Sequence, residues 1–167
     1  MDRLVKWIGI AAILAGALRM SAEVFLRTGM SDAGLQQLYF ITDFALLTGI
    51  GGIYALSANR TGPIAAVAAS AFLFGILVVR SPQVTFFGLQ GYRTGGAFAL
   101  LGIAVLGAVM LQRSVLRIAP LLWLAAVVVA LAGIVGVQQA LLTACTGILF
   151  ALGCIAAGIE AMRSQST

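Results

Sequence analysis

No charged residue interrupts the chain between Ile118 and Ile159. As one α-helix that stretch would be about 60 Å long, roughly twice the hydrocarbon thickness of a bilayer. It therefore has to double back, and the step Gly136-Val137-Gln138-Gln139 is where it can turn. Shorter apolar runs fill most of the remaining chain. Water is a poor solvent for such helices: 62% of the 167 residues are hydrophobic and 9% are charged, against about 45–50% and about 25% in soluble domains. A soluble fold of this size buries only part of its surface, so lipid has to cover the rest. A single transmembrane domain over 1–167 is the expectation.

A spanning helix needs about 20 mainly apolar residues. The sequence predicts about six, at 4–28, 38–57, 63–80, 95–112, 118–137 and 140–160. The expected fold is an all-α polytopic membrane bundle of antiparallel hairpins. Thr28 to Gly34 and Ala58 to Gly62 read as loops, and Pro63 suits the first turn of the third helix. Gln83 to Gly96 is aromatic and Gly-rich, which fits a loop, an interfacial segment or a re-entrant one. The N-terminal segment resembles a signal peptide, with Ala15-Gly16-Ala17 like a cleavage site; it is read here as the first membrane helix. Ser21-Ala22-Glu23-Val24 and Ser81-Pro82-Gln83-Val84 fall at equivalent places after helices one and three, the pattern of a duplicated hairpin.

The net charge of +5 could suggest nucleic acid. Nucleic-acid binders gather Lys and Arg on one solvated face, whereas here they are scattered singly between apolar runs, so no nucleic-acid partner is expected. Topology accounts for them better, because cytoplasmic loops are enriched in Lys and Arg. With the N-terminus inside, Arg3, Lys6, Arg60, Arg113, Arg117 and Arg163 fall on the cytoplasmic side. Arg19, Arg27, Arg80 and Arg93 fall outside. The expectation is N-in/C-in, in a bacterial inner membrane, with membrane lipids as partners. Trp7 and Trp123 are then expected at the inner interface, Tyr39 and Tyr92 at the outer one. Two long connections, Ser21 to Gln37 and Ser81 to Thr94, face outward, and long loops are where function concentrates.

Three constellations carry the candidate site. Arg19, Glu23 and Arg27 stand at i, i+4, i+8 and share a helix face with Gly16, Ala12 and Gly9, so neighbouring pairs can form ion pairs. Small residues let helices approach closely, which points this face into the bundle. Asp43 lies roughly a turn into the second helix, where an unpaired carboxylate costs several kcal/mol unless paired, hydrogen-bonded or protonated. Gln36, Tyr39 and Asp43 share its face, and Arg19, Arg80 and Arg93 are the candidate partners. The third, Gln90-Gly91-Tyr92-Arg93-Thr94-Gly95-Gly96, sets Tyr92 and Arg93 where they serve as an interfacial anchor or grip a lipid phosphate. Each has a plain alternative: a snorkelling helix end, a structural ion pair, or an aromatic belt.

The absences are sharp. With no His in the chain, His-ligated haem, Ser-His-Asp triads and the usual zinc sites are excluded. No phosphate-binding P-loop pattern occurs, and Lys6 is the only Lys. Cys145 and Cys154, nine residues apart on one helix, face opposite ways and cannot bridge. No metal or cofactor is expected.

The leading expectation is a non-enzymatic protein with an outward-facing polar pocket between helices one to four. It would bind or transport a lipid, small amphiphile or ion through Arg19, Glu23, Tyr39, Asp43, Arg80, Tyr92 and Arg93. The second is a membrane-embedded enzyme using Glu23 and Asp43 as acid and base on a hydrophobic substrate. The third is an accessory subunit, or a homo-oligomer, joined through the small-residue faces of helices five and six.

Overall fold

The computed structural model describes residues 2–29, 31–81, 85–86, 89–135 and 139–163. Five helices carry almost all of these residues: α1 (Asp2–Thr28), α2 (Asp32–Val79), α3 (Gly91–Gln112), α4 (Ile118–Val135) and α5 (Gln139–Arg163). The expected six become five because the second and third predicted helices meet at Gly62 with no loop between them and form one element, α2. A straight helix of that length would reach about 70 Å. Instead it bends at Gly62, whose φ of 76° and ψ of −174° are the only non-helical angles inside it. The bend is a full reversal. Gly51 lies against Leu73, and Asp43 meets Arg80, pairs that a straight helix would hold far apart. Pro63 opens the second arm, as its locked φ and missing N–H favour.

Several boundaries differ from the sequence reading. The long connection expected from Ser21 to Gln37 is helical over 21–28 and 32–37, and Ser31 caps α2 by accepting from the Gly34 N–H at 3.3 Å. Asp32 in the first turn suits the positive end of the helix dipole. Asn59 and Arg60 are likewise helical, and only Gly62 turns. Within Ser81 to Thr94, a minimal antiparallel ribbon pairs β1 (Thr85–Phe86) with β2 (Leu89–Gln90), and α3 then begins at Gly91 rather than Gly95. Ser21–Val24 is therefore mid-helix while Ser81 follows a helix end, so the two tetrapeptides are not equivalent. The reversal expected at Gly136–Gln138 lies outside the described residues.

The two arms of α2 and the other four helices make six rods, and every sequence neighbour packs antiparallel. Gly49 and Gly52 of the first arm sit on Ala12 and Ile8 of α1; Gly75 and Gly102 of the second arm and α3 interlock with Ala99 and Phe72. Gly107 faces Pro120, and Gly153 faces Trp123. The set closes into a ring because α5 returns to α1: Gly158 and Gly9 touch backbone to backbone, and Gly16 meets Ala151. A Cβ at Gly9 would come within 2.9 Å of the Gly158 carbonyl, so only glycine permits this approach. The middle is filled by Phe72, Leu106, Met110, Trp123 and Cys154. Trp123 is thus a core residue rather than an interface anchor, while Trp7 is 68% exposed.

Four helices, α1, α2, α3 and α5, are long and apolar enough to cross a membrane, and α4 holds a shorter apolar stretch over Ile118–Gly133. Large apolar side chains such as Phe40, Phe44, Val67, Leu101 and Val128 point away from the core and are exposed. The ring has two unlike ends. One holds Arg19, Asp43, Arg80 and the start of α3; the other holds the starts of α1 and α4, the Gly62 turn and the end of α5.

Candidate functional site

The first end gathers the charges that the sequence singled out. α1 continues helically past Met20, so Arg19 and Glu23 stand one turn apart and form an ion pair at 2.9 Å. The face that bears them is the one lined by Gly9, Ala12 and Gly16, and it does turn into the bundle. Arg27 is on the same helix, but its side chain lies outside the described residues. Glu23 rests on α5: a Cβ at Gly147 would come within 2.7 Å of Glu23 Oε1 and 3.5 Å of Arg19 Nη2. The glycine leaves the space that the ion pair fills.

Asp43 lies about three turns into α2, deeper than expected, because α2 starts at Asp32. Of its three candidate partners it takes Arg80. Nε donates to Oδ2 at 2.5 Å and Nη2 to Oδ1 at 3.1 Å, a two-pronged pair of the kind that fixes geometry as well as charge. Arg80 is also the C-terminal cap of α2, where a cation is favoured by the helix dipole. The pair ties the two arms together at the end opposite Gly62.

Tyr39, one turn before Asp43, joins the two pairs. The Arg80 guanidinium carbon is 4.2 Å from its ring centroid and that of Arg19 is 5.9 Å away. Both are within the range of cation–π attraction. The connected series is Glu23–Arg19–Tyr39–Arg80–Asp43, drawn from α1 and both arms of α2. The acids face inward and the bases outward: side-chain exposure is 14% for Glu23 and 13% for Asp43, but 27% for Arg19 and 41% for Arg80.

Two sequence candidates do not join this series. Arg93 is exposed near the start of α3, and none of the described ion pairs or ring contacts includes it. The Tyr92 side chain lies outside the described residues. Gln36 is exposed. Among the described residues no group of three or more Cys, Asp or Glu could hold a metal ion. Cys145 and Cys154 are free thiols.

The sequence reading missed Glu160, which works at the other end. Its Oε1 accepts from the N–H groups of Arg117 and Ile118, each at 3.0 Å, and Oε2 accepts from Ala119 at 3.1 Å. The next residue is Pro120, which has no N–H to satisfy. The one signal was the single carboxylate of an apolar helix, one turn before Arg163.

No protein-family model matches the chain, and neither a curated protein nor a solved structure does.

Proposed function

We propose that this is a multi-pass integral membrane protein, N-in/C-in in a bacterial inner membrane, that binds the anionic headgroup of a lipid or small amphiphile at its outer end. The exposed apolar belt and the spanning lengths of its helices support the membrane reading. One observation carries the ligand reading: Arg19 and Arg80 flank a single Tyr39 ring, each paired with a carboxylate less exposed than itself. An approaching headgroup therefore meets two held guanidiniums. Planar guanidinium groups suit phosphate and carboxylate oxygens. Glu23 and Asp43 hold the cations in place between binding events.

The test is calorimetric titration of the protein in neutral detergent with dodecyl phosphate and with dodecyltrimethylammonium. Saturable binding of the phosphate alone is expected, weakened on the order of tenfold in Arg80→Gln, about the loss of one charged hydrogen-bonding partner. Equal binding of both probes, or an unchanged Arg80→Gln, rejects the reading. The enzyme alternative has less support, since each carboxylate is already engaged by a guanidinium and no described contact joins Glu23 to Asp43. The accessory-subunit alternative is weakened too, because Gly147, Ala151, Cys154 and Gly158 pack against α1 or the core of the same chain.

A further inference from the structure

The two ends of the ring differ in how their charges are used. At the Arg80 end, four basic residues share the space with Glu23, Asp32 and Asp43, and two of the bases are in ion pairs. At the opposite end six basic residues, Arg3, Lys6, Arg60, Arg113, Arg117 and Arg163, face Asp2 and Glu160. Glu160 has both carboxylate oxygens on the backbone N–H groups that open α4. That end keeps most of the excess charge of the whole chain.

The bases there are not one patch. Arg3 and Lys6 belong to α1, Arg60 to the turn of α2, Arg113 and Arg117 to the α3–α4 turn, and all five are exposed. Each group is followed within about two turns by exposed apolar side chains. Leu4 and Trp7 lie beside Lys6, Ile64 and Val67 follow Arg60, and Ile118 and Leu121 follow Arg117. Three rods around the ring thus repeat one arrangement, a cation at the rim and a large apolar group below it.

We infer that this rim binds the anionic phospholipid headgroups of one leaflet, with the cations at phosphate level and the apolar side chains among the acyl chains. Nucleic acid or an acidic protein would call for a single solvated patch, and would have no use for an apolar belt under every cation. A leaflet meets all sides of the ring at once. Basic groups beside a membrane are attracted to anionic lipid over a short range, and salt screens the attraction. The inference rests on the membrane-spanning reading but not on the headgroup site at Arg19 and Arg80.

The experiment is native mass spectrometry of the protein in neutral detergent with added phosphatidylglycerol or phosphatidylcholine. The wild type should retain phosphatidylglycerol in preference, and added salt should reduce the preference. R113Q/R117Q and R3Q/K6Q should each lower phosphatidylglycerol retention by roughly thirtyfold, the scale expected for two such cations. Circular dichroism and melting curves establish that the variants are folded. Equal retention of the two lipids overturns the inference, as does wild-type retention in both double variants. So does salt-sensitive binding of a short DNA duplex in place of lipid. Dodecyl phosphate binding and its sensitivity to Arg80→Gln report the outer site separately, so either reading can fail alone.

Discussion

Glu160 supplies to α4 what no side chain at the start of that helix provides. The first N–H groups of a helix have no intrahelical partner, and here a carboxylate from α5 accepts three consecutive ones. Glu160→Ala should cost about 1–2 kcal/mol, the range of a lost helix cap with donors left unpaired. Glu160→Gln keeps an acceptor oxygen and should fall between; unfolding curves in detergent would order the three proteins. This residue was hard to find in the sequence, because its partners are backbone groups some forty positions earlier and follow no side-chain pattern. Arg19, Glu23, Asp43 and Arg80 were legible for the opposite reason. In an apolar chain a charged group has to find a partner, so the few charged positions near helix ends narrow the choices. Which arginine meets Asp43 depends on how the arms are rotated, and the sequence leaves that open.

At the scale of elements, Gly62 decides the shape of α2. Its φ of 76° is a value that side chains with a Cβ resist, yet nothing lies within 4 Å of where a Cβ would stand. The cost of Gly62→Ala is therefore conformational alone, about 1–3 kcal/mol. Gly96 makes the useful contrast: its Cβ position is equally open and it has ordinary helical angles, so Gly96→Ala should be neutral or slightly stabilising. Thermal melts of the two variants check this, and equal destabilisation would contradict it. The apolar runs were readable because each is long enough to form a helix that satisfies its own backbone. Their ends were not. Polar residues between Thr28 and Gln37 look like loop, but Ser31 in fact starts a helix there. Ser57 and Thr61 likewise lie within the helix almost to Gly62, their hydroxyls bonded back to the Ile53 and Ser57 carbonyls, a local bonding that tends to bend helices.

For the whole molecule, the ring brings the start of α1 and the end of α5 together and leaves the Arg80 end on the other side. If the proposed orientation holds, a cysteine in place of Asp32 should react with an impermeant maleimide on intact cells, and one in place of Ser114 only after permeabilisation. Labelling of the two in the reverse order would invert the topology and place the arginine pair on the cytoplasmic side. The native thiols interfere little at one position: Cys154 is fully buried, while Cys145 is half-buried and calls for a Cys145→Ser background.

The seat that Gly147 provides for Glu23 also has a place in time. During synthesis α1 and both arms of α2 are made before α5, so Arg19, Glu23, Tyr39, Asp43 and Arg80 can meet before it exists. The wall behind Glu23 belongs to α5. Until it arrives, that carboxylate has Arg19 on one side and no wall on the other. The arginine site is begun first and closed later.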